Sequence, residues 1–298
     1  MKEQKKGEHK MELCGWLIYD REGAKKNHSY IQMHMEEAAR LSMHLELMYR
    51  EKFSFGVKNG RLYLSYEEKC LELPDFAIVR TIAPEFSANL ERMGIRLFNS
   101  AEVSTICNDK AKTCAYLAGK GIPMPDMFFL DNEEFVRTFE KIPMGMVIKA
   151  VDGHGGTQVF RKEEKNKEEI LRGIGNSNVV VQQFVGTRCQ DVRVYVIGEK
   201  VIAAVIRKAK SGFKSNFSLG GDVSIYKLSD EAEQLVKRIV KQFSFGMVGI
   251  DFLIDDNGKF VFNEIEDVVG ARMLYQCTSI NLLELYLSYI KEQCLMKG

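Results

Sequence analysis

The stretch VGIDFLIDDNGKFVFNEIED, residues 248–267, decides the reading of this chain. Two apolar, β-prone runs flank Asn257-Gly258, the strongest short signal for a tight hairpin. With those two residues at the centre of a two-residue turn, Asp256 faces Lys259, Leu253 faces Phe262 and Asp251 faces Glu264. Glu266 follows on the same face as Glu264, because side chains along a strand repeat every second residue. Carboxylates thus converge from two strands among Ile, Leu, Val and Phe. Like charges opposite one another on paired strands repel, and apolar surroundings deepen the cost. A hard divalent cation removes it; magnesium, or manganese in its place, suits an all-oxygen ligand set. An exposed hairpin end with solvated acids is the competing reading of the same residues.

The surrounding chain has 298 residues, a length that accommodates about two domains. Hydrophobic residues make up 45% of it, enough for a sizeable core. The 42 basic and 41 acidic side chains balance, so no global field draws the chain to nucleic acid or to an anionic membrane. No apolar run reaches membrane-spanning length, and no signal peptide is visible. Seven cysteines, an odd number without a C-x-x-C pair, and five dispersed histidines describe a reduced, cytoplasmic protein with neither a disulfide framework nor a zinc site.

Residues 1–10 are polar and basic and read as a disordered arm, with the ordered chain beginning near Met11. Residues 11–99 alternate strand and helix: strands at Leu13–Tyr19, Leu45–Tyr49, Phe76–Val79 and Ile95–Phe98, helices at Ser29–Met43 (capped by Ser29) and Pro84–Met93, and a hairpin around Lys58-Asn59-Gly60. That alternation predicts an open, parallel α/β sheet. No glycine-rich dinucleotide fingerprint follows the first strand. Residues 100–185 form a second unit with a helix at Lys110–Lys120, strands at Met146–Ala150, Thr157–Phe160 and Val179–Val185, and a helix at Asn166–Arg172. Residues 186–298 form a third, mostly antiparallel unit. It has strands at Val192–Ile197 and Lys200–Arg207, a helix at Ser229–Phe243, the acidic hairpin and a last helix from Leu282 to Glu292. The apolar stripe on Leu282–Cys294 is a candidate homo-oligomer interface, or core.

Several of these segments carry chemistry. Lys149 stands on a strand that runs into Asp152-Gly153-His154-Gly155-Gly156-Thr157. Gly155 and Gly156 let backbone N–H groups approach phosphate oxygens, and the lysine neutralises phosphate charge; an ordinary flexible loop beside a surface lysine is the alternative. Val179–Val185 is an apolar strand interrupted by Gln182 and Gln183, able to offer its end to an adenine edge. Asp191-Val192-Arg193 sets an acid and a base on one face. Arg207 and Lys214-Ser215-Asn216 bound a basic loop punctuated by Gly212, Gly220 and Gly221, the composition of a mobile lid. In this order the pieces make a full inventory for phosphoryl transfer from ATP.

These residues resemble the ATP-grasp superfamily and, within it, the RimK-type carboxylate–amine ligases that add amino acids such as glutamate. The likeness runs from about Asn99 to the end of the chain. It lies in Asn108-Asp109-Lys110, Gly121-Ile122-Pro123-Met124-Pro125, Gln182-Gln183-Phe184-Val185, Asp191 to Val196, Arg207 to Asn216, Gly249-Ile250-Asp251 and Glu264-Ile265-Glu266. The N-terminal unit is similar in kind only, apart from Arg80 at a strand end. The resemblance implies a pre-ATP-grasp α/β domain followed by a two-lobed α+β ATP-grasp domain. Lys110 and Lys149 would hold ATP phosphates; Gln183, Phe184 and Val185 would line the adenine pocket; Asp191 would bind the ribose or a nearby polar group. Lys214, Ser215 and Asn216 would close over the nucleotide. Asp251, Glu264 and Glu266 would ligate magnesium, and Arg193 and Arg207 would contact the γ-phosphate and an acyl-phosphate. Two departures bear on the substrate. Glu266 stands where the family usually has Asn, and Asp267-Val268-Val269-Gly270-Ala271-Arg272 lacks the usual small-residue and proline run.

The activity this implies joins a carboxylate to an amine (amino acid, peptide or small molecule) through an acyl-phosphate, with release of ADP. A small-molecule ligase of the D-alanine–D-alanine kind and a regulatory module that binds ATP without ligating are the other readings.

Overall fold

Near-continuous apolar runs, the mark of strands buried on both faces, build the sheet of the first of two units. The structure, a computed structural model, describes residues 13–163, 166–208 and 222–296. The first unit takes the chain up to Thr81, Phe86–Phe98 and the last helix from Leu283 onward. Its strands are β1 (Leu13–Tyr19), β2 (Met43–Tyr49), β3 (Phe53–Lys58), β4 (Arg61–Tyr66), β5 (Lys69–Cys70), β6 (Phe76–Val79) and β7 (Arg96–Leu97). The order β2-β1-β6-β7 is parallel throughout, as the alternation of elements predicts, while β3-β4-β5 form an antiparallel meander. Trp16, Ile18, Met48, Leu64, Ala77 and Leu90 meet in its core.

The helix expected at Ser29–Met43 runs over His28–Arg40, with Ser29 inside its first turn rather than capping it, and a short helix that the sequence does not announce precedes it. Arg21–Lys26 is capped by Asp20, whose carboxylate accepts from the Gly23 N–H at 2.6 Å, and His28–Arg40 follows. Met43 opens β2 instead, so the stripe that seemed to continue to it mixed a helical period with a strand's first inward residue. The helix Leu282–Leu295 buries Leu283, Tyr286, Leu287 and Ile290. Its Tyr286 hydroxyl donates to the Phe98 carbonyl at 2.8 Å. The apolar stripe considered for an oligomer is therefore core, and this helix groups with the first unit rather than with residues 186–298.

The second unit, Asn99–Leu282 in the main, holds two sheets. One has the order β10-β9-β11-β8, from β8 (Met127–Leu130), β9 (Val147–Ala150), β10 (Val159–Arg161) and β11 (Val179–Gln182). The other, β14-β13-β12-β15-β16, is antiparallel throughout. It comprises β12 (Gln190–Ile197), β13 (Lys200–Lys208), β14 (Asp222–Tyr226), β15 (Met247–Ile254) and β16 (Phe260–Glu266). Helix Asp230–Val240, capped by Ser229 as its sequence announces, packs Leu235, Val236 and Ile239 against Val194, Ile250 and Phe262 in one core. Helix Lys110–Leu117 adds Cys114 and Leu117 to the same core, and Asp109 caps it. No helix among the described residues is long and apolar enough to cross a membrane.

Candidate active site

The acidic hairpin forms, but not with the turn its dipeptide suggests. Asp255 and Lys259 close a three-residue loop, with the Lys259 carbonyl accepting from the Asp255 N–H at 3.0 Å. Leu253 consequently faces Val261, not Phe262. A bulge between Asp251 and Phe252 then shifts the register by one, and Asp251 faces Glu264 after all. The residue taken up by the bulge is Asn263, and its side chain is put to use: Asn263 Oδ1 accepts from Lys149 Nζ at 2.7 Å. Bulges re-aim side chains beside active sites, and nothing in the sequence marks this one.

The same sheet sets acids against bases across neighbouring strands. Asp191 faces Arg207, and Arg193 faces Asp251. Arg193 donates from Nε and from a terminal nitrogen to the two Asp251 oxygens, each at 2.8 Å. Its other terminal nitrogen pairs with Glu266. Arg207 holds Asp191 through both carboxylate oxygens and reaches Asp251 at 2.6 Å. Lys110, at the start of its helix, donates to the Gly153 carbonyl at 2.5 Å and pairs with Glu264 at 3.3 Å. Bidentate arginine–carboxylate forks of this kind are geometrically specific.

These groups surround a cavity of about 280 Å³. Lys110, Lys149, Asp191, Arg193, Arg207, Glu264 and Glu266 line it, as do Gly155, Gly156, Phe184 and Val185. Gly155 and Gly156 have φ of 64° and 74°, a left-handed pair that a side chain would strain. Gln183 is exposed and lies off the cavity, while Gln182, the last residue of β11, lines it together with Phe184 and Val185 beyond the strand end. Asp251 lies behind the wall, fully buried. Lys214, Ser215 and Asn216 fall outside the described residues. Asp191, expected near the ribose, lines the cavity and is forked with Arg207.

Burial and charge set the protonation of the site. Burial would raise the Asp251 carboxyl, but Arg193 and Arg207 together hold it well below the usual carboxylate range. Burial likewise acts against Glu264, where Lys110 overcomes it and keeps the group low. At Glu266 burial wins over Arg193, and the carboxyl titrates above its ordinary value. Burial brings Lys149 down to about 8, despite the opposing pull of Glu264.

Among the described residues, no three His, Cys, Asp or Glu side chains gather as a ready metal site. The reason is local: both Asp251 oxygens are taken by arginines, whereas the Glu264 and Glu266 side chains, about a third exposed, face the cavity. The donor set is all oxygen and suits magnesium or manganese. For Asp251 to join it, Arg193 and Arg207 must turn to another anion.

The segment that departs from the expected pattern is tied down at every step. Asp267 accepts from Asn99 Nδ2 at 2.6 Å and from Asn108 Nδ2 at 2.9 Å. Val269 fills the space beside Gly249, where a Cβ would meet its Cγ2 at 2.7 Å. The Gly270 carbonyl accepts from the Tyr195 hydroxyl at 3.2 Å. Arg272 then enters the cavity wall. The sequence marked this segment as unusual without assigning Arg272 a role; Asn99 and Asn108, far away in the chain, gave no sign of clamping it.

The model of the RimK-like ATP-grasp domain matches residues 107–290. N-acetylaspartylglutamate synthase A of Homo sapiens is 30% identical over 249 residues, covering 78% of this chain and 64% of that protein. A probable alpha-L-glutamate ligase of Legionella pneumophila is 31% identical over 214 residues, covering 69% of this chain and 70% of that protein. The chain thus spans somewhat under two thirds of the length of the human relative. Among solved structures, the ATP-grasp ligase PsnB complexed with a phosphomimetic variant of its minimal precursor, Mg and ADP superposes with a TM-score of 0.68. It is 15% identical, covering 94% of this chain and 98% of PsnB, a likeness of fold. The sheets, the cavity and the matched segment agree: the chain belongs to the RimK-like ATP-grasp family.

Proposed function

We propose that this protein is an ADP-forming ligase that joins a carboxylate to an amine. In this reading a substrate carboxylate oxygen attacks the γ-phosphorus of ATP, ADP leaves, and an acyl-phosphate forms. The amine nitrogen then attacks the acyl carbon, phosphate departs and the nitrogen loses a proton. The observation that carries the reading is the set of cations held on exchangeable carboxylates around one cavity: Lys110 on Glu264, Arg193 on Asp251 and Glu266, Arg207 on Asp191. A triphosphate offers those cations a stronger anion than a single carboxylate does. Lys110 and Lys149 take the ATP phosphates, with the backbone of Gly155 and Gly156 beside them; Arg193 and Arg207 steady the charge that develops on the transferred group. Phe184 and Val185, with Gln182 or Gln183, receive the adenine; Lys214, Ser215 and Asn216, outside the described residues, are assigned to the nucleotide. The carboxylates released by the exchange, Glu264, Glu266 and Asp251, would hold magnesium or manganese, which neutralises charge on phosphate oxygens.

The amine is assigned to an acidic amino acid of the glutamate kind, because both curated relatives described above carry glutamate in their names. The scattered free cysteines fit a reduced, cytoplasmic setting. The test is ADP release from ATP and magnesium with a panel of carboxylic acids, each with and without glutamate, followed by the product's mass. The expected result is ADP that forms only when acid and amine are both present, with a product equal to their sum less water. Nucleotide binding with no substrate-dependent ADP would overturn the proposal.

A further inference from the structure

We propose that Arg272 recognises a spectator carboxylate, one that is not consumed in the reaction, on the amine substrate. The inference rests on the ligase reading and deepens it. Of the cavity cations named above, Arg193 and Arg207 are forked to carboxylates, Lys110 is paired with Glu264, and Lys149 is bonded to Asn263. Together these cations (Lys110, Lys149, Arg193, Arg207) are matched in number by the acids Asp191, Asp251, Glu264 and Glu266. Arg272 is surplus to that balance. It lines the same cavity, is exposed, and has no hydrogen bond or ion pair among the described residues.

Its backbone, by contrast, is fixed. The preceding residues are held by the Asn99–Asp267–Asn108 clamp, by Val269 against Gly249 and by the Tyr195–Gly270 hydrogen bond. Ala271 and Met273 on either side are buried. A guanidinium on a held backbone, facing an open cavity with no internal partner, is arranged to receive a planar anion through two parallel N–H bonds. Phosphate is already provided for by four cations on the sheet and glycine-loop sides. An amine substrate with a free carboxylate, such as an α-amino acid, fits that guanidinium; its amide does not.

The test uses the full-length protein saturated with AMP-PNP and magnesium, titrated calorimetrically with L-glutamate and with its two mono-amides, glutamine and isoglutamine. Wild type is expected to bind glutamate at least about tenfold more tightly than one of the amides, the scale of a hydrogen-bonded charge pair. Arg272→Gln should weaken glutamate binding by about the same factor and abolish the preference, while Arg272→Lys should recover part of it. AMP-PNP affinity should stay within about twofold in both variants, since no phosphate contact is assigned to Arg272. A preserved preference in Arg272→Gln, or a wild type indifferent between acid and amides, would overturn the proposal. So would a fall in AMP-PNP affinity, which would make Arg272 a phosphate ligand. Failure of wild type to bind AMP-PNP at all is a distinct result: it sinks the nucleotide reading, and this inference with it.

Discussion

The Asn59-Gly60 and Asn257-Gly258 hairpins share a dipeptide but form different turns. In the first unit, β3 and β4 keep one register from Phe53↔Tyr66 to Lys58↔Arg61. Asn59 and Gly60 sit at φ of 53° and 73°, a two-residue turn with both central residues left-handed. In the second unit's Asn257-Gly258 turn, Gly258 is left-handed, at 81°, and Asn257 is not. There Asp255 Oδ1 accepts from the N–H groups of Asn257 and Lys259 at 2.9 and 2.7 Å, which stabilises the longer loop. The one-residue offset this creates is undone by the bulge at Asn263. The first hairpin is regular because its meander has only to pair. The second carries two irregularities, and their net effect is to bring Asp251, Glu264 and Asn263 to one place.

Truncation at the paired acid should separate the two hairpins most. Asp251→Ala removes the anion shared by two buried arginines and should cost about 3–5 kcal/mol in urea denaturation. Ser54→Ala, on an exposed position of β3, should cost less than about 0.5 kcal/mol. Comparable losses at the two positions would mean that the arginine forks contribute little. Next comes the bulge residue. Asn263→Leu leaves the buried Lys149 ammonium without its acceptor, for a loss of about 1–3 kcal/mol, and Asn263→Asp should be milder because it keeps an acceptor. Equal stability of the leucine variant and wild type would show that the bulge does not serve Lys149. The smallest effect is the sharpest on turn type. Asn59→Ala should cost about 1 kcal/mol, because alanine tolerates the left-handed region poorly. Asn257→Ala should stay within about 0.5 kcal/mol. Matching penalties at the two asparagines would contradict the two turn assignments.

These hairpins also mark where sequence reading succeeds and where it stops. Period-two alternation located both, and the pairing of Asp251 with Glu264 was legible although the turn was not: two one-residue departures cancel. Neither departure is a property of the Asn-Gly dipeptide. One depends on the Asp255 side chain competing for backbone donors, and the other on a lysine from a different sheet that needs an acceptor. The parallel order of the first sheet and the Ser229-capped helix were readable because local propensity and burial agree there. The end of the His28–Arg40 helix is not legible because Met43 fits both periods, and the short helix before it is set by the Asp20 cap rather than by an apolar stripe. That Gln182 rather than Gln183 lines the cavity depends on where β11 ends, which the sequence does not mark. The Arg193–Asp251 and Arg207–Asp191 forks were hidden because sequence gives charges but not which strand neighbours which: β12 lies between β13 and β15, and that order belongs to the fold.

In the proposed function the cavity's cations leave their carboxylates for a triphosphate while the freed acids hold a divalent cation. The most direct test of this exchange is the affinity for AMP-PNP, measured with and without magnesium, in wild type and in Glu264→Gln. Magnesium should tighten binding to wild type by at least about tenfold, a coupling within the ordinary range between linked sites, and Glu264→Gln should lose most of that gain. A variant that keeps the whole magnesium effect, or a wild type indifferent to magnesium, would contradict the exchange.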